Sequence, residues 1–155
     1  MEEQNESLRL KKQLCFPLYA AAKEIVRMYR PFLDDLDLTY TQYIAMMVLW
    51  EEKELSVKQL GSRLYLDSGT LTPLLKSLEQ KGYVHRFRCP SDERVVKVNL
   101  TPAGAELEGR AQHVPEQMRA CVCLTQEEAE ALYTLLYKLL RQTELHNDEK
   151  TAGKE

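Results

Sequence analysis

Apolar residues recur at helical spacing near the N-terminus. Leu14, Leu18, Ala21, Ala22, Ile25, Val26 and Tyr29 share one face and predict a first amphipathic helix. Pro17 fits the first turn of that helix, where a missing N–H costs least, so Cys15 falls near its N-terminal end. Pro31 and the acidic run Asp34-Asp35-Leu36-Asp37 close it. Thr39-Tyr40-Thr41-Gln42 then reads as a capping box opening a helix that holds Ile44, Met47, Val48 and Trp50. Ser56-Val57-Lys58-Gln59 repeats the box and starts a short helix with Val57, Leu60 and Leu64 turned inward. Asp67 caps the next helix, whose buried stripe is Leu71, Leu74, Leu75 and Leu78, and Gly82 supplies its left-handed stop.

Beyond Gly82 the period changes. Tyr83 to Arg88 alternates as a strand does, and Val95 to Leu100 pairs with it across the polar link Cys89-Pro90-Ser91-Asp92-Glu93-Arg94. Thr101-Pro102 opens a further helix, which Pro115 kinks or interrupts. A third capping box, Thr125 to Glu128, begins a last helix carrying Ala129, Leu132, Tyr133, Leu136, Leu139 and Leu140. Residues before about Lys11 fray, and 147–155 form a polar, disordered tail. No internal repeat or long linker divides the chain, so 1–155 reads as one domain.

The fold class is therefore mainly α with a small β-hairpin wing, a winged helix-turn-helix over residues 39–100. Its 155 residues suffice for a real core, and 44% apolar with 29% charged residues is ordinary globular composition. The chain has no apolar run of about 18 residues, which leaves no transmembrane helix. The start Met1-Glu2-Glu3-Gln4-Asn5-Glu6 is not that of a signal peptide, so a cytoplasmic protein without membrane association is expected. In that reducing compartment Cys15, Cys89, Cys121 and Cys123 do not form permanent bridges. Cys121-x-Cys123 lacks a second pair at zinc-ribbon spacing, His113 being the nearest further ligand; neither a metal nor another cofactor is expected.

Charge sharpens the picture. The net charge is −3, yet between Leu55 and Gly104 eight Lys or Arg face four acids, giving +4 there and −7 elsewhere. A basic middle between acidic ends fits a chain of which only the middle meets phosphate. The second helix of a helix-turn-helix fits the major groove of double-stranded DNA. Its start here, Ser68, Gly69, Thr70, Thr72, Pro73 and Lys76, is short and polar. Lys76 and Lys81 add Coulombic attraction, Arg86 on the first hairpin strand joins the DNA-facing set, and Arg94 at the hairpin tip reaches for a minor groove. Cys89, in the wing, has no role in this reading.

The run Leu66 to Lys76 followed by Asp92-Glu93-Arg94 resembles the MarR family of bacterial repressors. More narrowly, Leu14-Cys15-Phe16-Pro17-Leu18-Tyr19-Ala20 and Leu38 to Tyr43 resemble the organic hydroperoxide resistance regulators, the OhrR group. The likeness covers about Leu14 to Gly104. It implies a homodimer, with intertwined helices from about 12–37 and 102–145 and two winged modules on one palindromic operator. It also implies that Asp92 braces Arg94, that Cys15 is oxidised by an organic hydroperoxide, and that Tyr19, Tyr29 and Tyr40, some from the partner subunit, support its thiolate. Oxidation then releases the operator.

Three matters stay open at this point. Cys121 or Cys123 resolves the sulfenic acid, or both merely fill a helix junction while a cellular thiol does the work. The alternative signal is an apolar or phenolic small molecule, with Cys15 passive. A thiol peroxidase is the enzyme reading, but no Cys-x-x-Cys or peroxidase pattern supports it, and no enzyme is expected.

Overall fold

The computed structural model describes residues 6–152, with side chains placed for 6–144. After a 3-10 turn at Leu10–Lys12, the chain forms α1 (Cys15–Asp34), α2 (Tyr40–Glu52), β1 (Glu54–Ser56), α3 (Val57–Leu64) and α4 (Ser68–Gln80). It continues with β2 (Val84–Cys89), β3 (Asp92–Leu100), α5 (Pro102–Ala111), α6 (Val114–Cys121) and α7 (Gln126–Ala152). Two compact units are distinguished, Met1–Met118 and Arg119–Glu155. No helix among the described residues is long and apolar enough to cross a membrane.

Local sequence signals start most of these helices. The Thr39 hydroxyl accepts from the Gln42 N–H while the Gln42 side chain accepts from Thr39, and Ser56 with Gln59 repeats the exchange. Thr125 and Glu128 do the same at α7, with bonds of 2.9 and 3.2 Å. The Asp67 carboxylate accepts from the Thr70 N–H at 2.8 Å, and α4 ends where Gly82 takes a φ of 78°. Each cap satisfies backbone donors that the helix cannot pair internally.

The core centres on α2. Tyr43, Ala45, Met46, Val48, Leu49 and Trp50 are all buried, because α1, α3, α4, α5, β1 and β3 pack around this helix. A single-face stripe does not describe it. Met47, one of the apolar residues read on this helix, is exposed, and Ile44 is half-buried. The α4 stripe Leu71, Leu74, Leu75 and Leu78 is buried as its spacing indicates.

The wing departs from expectation in two ways. The strands run to within two residues of each other, with Pro90-Ser91 as the turn and a bulge between Arg88 and Cys89. The link expected from Cys89 to Arg94 is therefore mostly strand, with Cys89 opposite Asp92 in the ladder. A third strand, β1, pairs antiparallel with β3 through Leu55 opposite Val98, giving the order β1-β3-β2. Pro31 lies inside α1 and does not end it. The α5–α6 break falls at Gln112-His113, just before Pro115 in the first turn of α6, the position proline favours. The final helix runs through Asn147 to Ala152, where a disordered tail was expected; the rest of that tail, 153–155, lies outside the described residues.

Two packing details anchor this core. Trp50 donates its indole N–H to the Gly104 carbonyl at 2.9 Å in a buried site. Gly104 in turn lies against Tyr83, so close that a Cβ there would stand 2.0 Å from the Tyr83 carbonyl oxygen. Nearby, the Tyr29 and Tyr40 rings are 4.8 Å apart, Tyr29 and Tyr43 6.0 Å, and Tyr43 meets Trp50 edge-on at 6.3 Å. Burial raises the phenol pKa of all three tyrosines, and that of Tyr43, which is also near Tyr29 and Tyr40, is pushed up to about 12.

Three predictions follow from this packing. Gly104→Ala forces α5 off Tyr83 and lowers the unfolding free energy by about 3 kcal/mol in urea titration. Gly109→Ala in the same helix, with nothing within 4 Å of the added methyl, gains about 0.5–1 kcal/mol from helix propensity. The neutral form of Tyr43 is favoured by folding, so its contribution to stability is complete below pH 10 and lost as pH rises towards 12. Thermal unfolding between pH 9 and 12 shows this alkaline loss, and Tyr43→Phe reduces it.

Candidate functional site

On α4 the chain sorts its residues by face. Leu71, Leu74, Leu75 and Leu78 are buried in the core, while Ser68, Gly69, Thr70, Thr72, Pro73 and Lys76 are all exposed. Lys76 is the only charge among these exposed residues. Pro73 has no N–H to offer the Gly69 carbonyl one turn back, so the exposed first turns of α4 are less tightly tied than an ordinary helix. The helix begins at the Asp67 cap, and its first turn contains no acidic residue.

The wing presents Arg94 with its side chain 91% exposed. Asp92 accepts from the Arg94 backbone N–H, from Nε at 3.0 Å and from Nη2 at 3.2 Å, and Arg94 holds the Asp92 carboxyl below its usual range. The guanidinium is thereby fixed in direction while it stays in solvent. Arg88 donates to the Glu93 carbonyl at 2.6 Å across the hairpin.

Arg86 is not free in the same way. Glu79 at the end of α4 accepts from the Arg86 N–H at 2.9 Å, from Nε at 3.1 Å and from Nη2 at 2.8 Å. These bonds hold the Glu79 carboxyl below its ordinary value and tie β2 to α4. Pairing of this kind runs through the basic middle of the chain. Arg63 pairs with Glu51 and Glu52, Lys81 with Asp37, and Lys97 with Glu54. Of the eight cations there, Lys58, Lys76 and Arg88 make no ion pair among the described residues.

Cys15 is the first residue of α1 and is exposed. No side chain caps that helix start. Tyr19 lies one turn on, also exposed. Tyr29 stands fourteen residues along the same helix, about 21 Å away at 1.5 Å per residue, and packs on Tyr40. Within one chain, then, the structure brings Tyr29 and Tyr40 together and keeps both far from Cys15. It adds Tyr43, 3% exposed, to that pair. The signal was present in the sequence: Tyr40 and Tyr43 are three apart in a helix and so share a face.

Cys121 ends α6 and Cys123 follows it in the connection to α7; both are exposed free thiols. Cys89 is half-buried, its Sγ 3.2 Å from the Ser91 hydroxyl. That hydroxyl first, then the Ser91 backbone, lowers the Cys89 thiol below its ordinary value, with Lys97 adding to the effect. No cluster of three potential metal ligands occurs among the described residues.

Residues 38–96 match the sequence profile of the MarR family. The organic hydroperoxide resistance transcriptional regulator of Bacillus subtilis (strain 168) is 44% identical over 140 residues, spanning 90% of this chain and 95% of that protein. Among solved structures, reduced AbfR bound to DNA superposes with a TM-score of 0.75 at 33% identity, over 92% of this chain and 99% of that one. A disulfide-formed AbfR gives 0.62 at 34% identity, over 89% and 98%. With nearly its whole length aligned to one regulator and its fold shared with another seen on DNA, this chain belongs to the MarR family of DNA-binding transcriptional regulators.

Proposed function

We propose that the protein is a homodimeric repressor that leaves its palindromic operator when an organic hydroperoxide oxidises Cys15. One observation carries the reading. The exposed thiol at the uncapped start of α1 and the phenols of Tyr29 and Tyr40 lie too far apart in one chain to meet. They can complete a site only between two chains. The apolar face of α1 supports such a pairing, since Leu14 is 79% exposed and Leu18, Ile25 and Val26 are exposed with it. Leu132, Tyr133, Leu135 and Leu139 of α7 are likewise uncovered in the single chain. Faces this apolar belong against a partner.

The chemistry follows from these groups. A helix start favours negative charge, which suits a thiolate at Cys15. Phenols carry their protons at neutral pH and can donate them in hydrogen bonds to that sulfur; Tyr19 contributes from the same chain. The sulfur attacks one peroxide oxygen, an S–O bond forms as the O–O bond breaks, and the alkoxide leaves, taking up a proton as alcohol. Cys15 is left as a sulfenic acid, a neutral group that no longer rewards the phenol donors. A second thiol, Cys121 or Cys123, then attacks the sulfenic sulfur, closing a disulfide and releasing water. The existence of a disulfide form of AbfR favours this second step.

On the DNA side, α4 enters the major groove through Ser68, Gly69, Thr70, Thr72, Pro73 and Lys76, and Arg94, aimed by Asp92, enters the minor groove. Arg86 serves this interface indirectly, by holding the wing against α4. The protein acts in the cytoplasm, on half-sites about one helical turn apart.

Cys15→Ser is expected to bind operator normally and to stay bound when an organic hydroperoxide is added; release equal to that of wild type overturns the redox reading in favour of a ligand-released repressor. Mass mapping after one equivalent of cumene hydroperoxide is expected to find Cys15 oxidised first and then bridged to Cys121 or Cys123. Arg94→Ala lowers operator affinity by about 5- to 100-fold while leaving the dimer intact in sedimentation, and unchanged affinity removes Arg94 from the interface.

A further inference from the structure

Between the tyrosine cluster and the DNA-facing helix lies one buried amide. Gln42 sits in the first turn of α2, between Tyr40 and Tyr43, and is 6% exposed. Its Oε1 accepts from the Thr39 N–H at 3.1 Å and from the Lys81 ammonium at 3.2 Å. Its Nε2 donates to the Ser77 hydroxyl of α4 at 3.0 Å. Lys81, just past the end of α4, also donates to the Asp37 backbone carbonyl and lies 3.3 Å from the Asp37 carboxylate. Asp37 holds a φ of 52° in the link between α1 and α2. One side chain therefore touches the start of α2, and through Lys81 both the link before it and the far end of α4.

The arrangement has mechanical consequences. A buried amide bonded at both ends resists partial displacement, because a donor or acceptor that loses its partner there is poorly compensated by water. The contact is either kept or broken. Ser77 lies nine residues from Ser68, about 13 Å along α4. A small shift at Ser77 swings the exposed start of α4 through a larger arc. Apolar packing between α2 and α4 could slide by fractions of an ångström without such a threshold.

We propose that Gln42, with Ser77 as its α4 partner and Lys81 as its brace, is the positioning residue that passes a displacement of the Tyr40 turn to α4. The inference rests on the reading of Cys15 as the oxidised sensor. When Tyr40 loses its bond to the Cys15 sulfur, the first turn of α2 moves, and Gln42 carries Ser77 with it. The rear of α4 shifts while the Asp67-capped start leaves the groove. Gln42 touches neither the thiol nor DNA; it acts through α4.

The test separates coupling from fold support. Ser77→Ala and Gln42→Met are compared with wild type for three quantities: trapping of sulfenic acid at Cys15, operator affinity of the reduced dimer, and operator affinity after one equivalent of cumene hydroperoxide. Both variants are expected to oxidise at Cys15 at the wild-type rate. The ratio of reduced to oxidised affinity is expected to shrink by about two- to thirtyfold. Gln42→Glu, which keeps the Thr39 cap and can accept from both Ser77 and Lys81, is expected to restore the wild-type ratio. An unchanged ratio in Ser77→Ala and Gln42→Met overturns the proposal, as does a parallel fall of both affinities, which marks a role in folding alone. Should Gln42→Met fail to fold, Ser77→Ala, which removes one half-buried hydroxyl, decides the matter by itself. If wild type itself oxidises at Cys15 and keeps its operator, the sensing reading fails first and this one with it.

Discussion

The constraint on which the rest of this structure depends is the burial of α2 on nearly every side. A helix with Tyr43, Met46, Leu49 and Trp50 all in the core has to be covered by several elements at once. Here α1, α3, α4, α5 and two strands do so. Its polar ends are then the only places where hydrogen bonds can fix its position, and both are used. At one end Gln42 and Thr39 exchange bonds, and Gln42 reaches α4; at the other Trp50 binds the Gly104 carbonyl. Between those pins, the helix-turn-helix, the wing and α5 are all referred to a single rod. Displacement of α2 is therefore felt by the DNA-facing helix and by the start of the C-terminal helices together.

That architecture lets the tyrosine cluster and the helix-turn-helix share one small core. The tyrosines belong to the core and to the candidate thiol site at once, since Tyr29 and Tyr40 pack on each other while Tyr43 reaches Trp50. Burial raises their phenol pKa values, and on the proposed reading Tyr29 and Tyr40 are also the donors to the Cys15 sulfur.

Much of this could be read from the chain because its signals are local. Capping boxes at Thr39, Ser56 and Thr125 involve residues three apart, and each formed as its spacing implied. The split of α4 into a leucine stripe and a small polar face is likewise periodic. What escaped sequence reading is what distant residues decide. The strand Glu54–Ser56 is three residues long, too short for alternation to register, and exists because β3 offers it a free edge. Arg86 looked like a cation for DNA, but Glu79 folds back onto it from the preceding helix. A site shared between Cys15 and the tyrosines was suggested only by resemblance, since no pattern within one chain records a partner's surface.

The pairing of cations in the winged module bears on how the protein finds its site. Arg63, Lys81 and Lys97 pair with Glu51, Glu52, Asp37 and Glu54, all outside the stretch, so its +4 is largely neutralised where it stands. A phosphate contact expels counterions from DNA only to the extent that it brings uncompensated charge. On the proposed reading, affinity then leans less on counterion release than composition suggests, and more on the fit of α4 and the aimed Arg94. Asp37, Glu51, Glu52 and Glu54 belong to the −7 outside the stretch, so −3 remains beyond these pairs and disfavours loose attachment to arbitrary DNA.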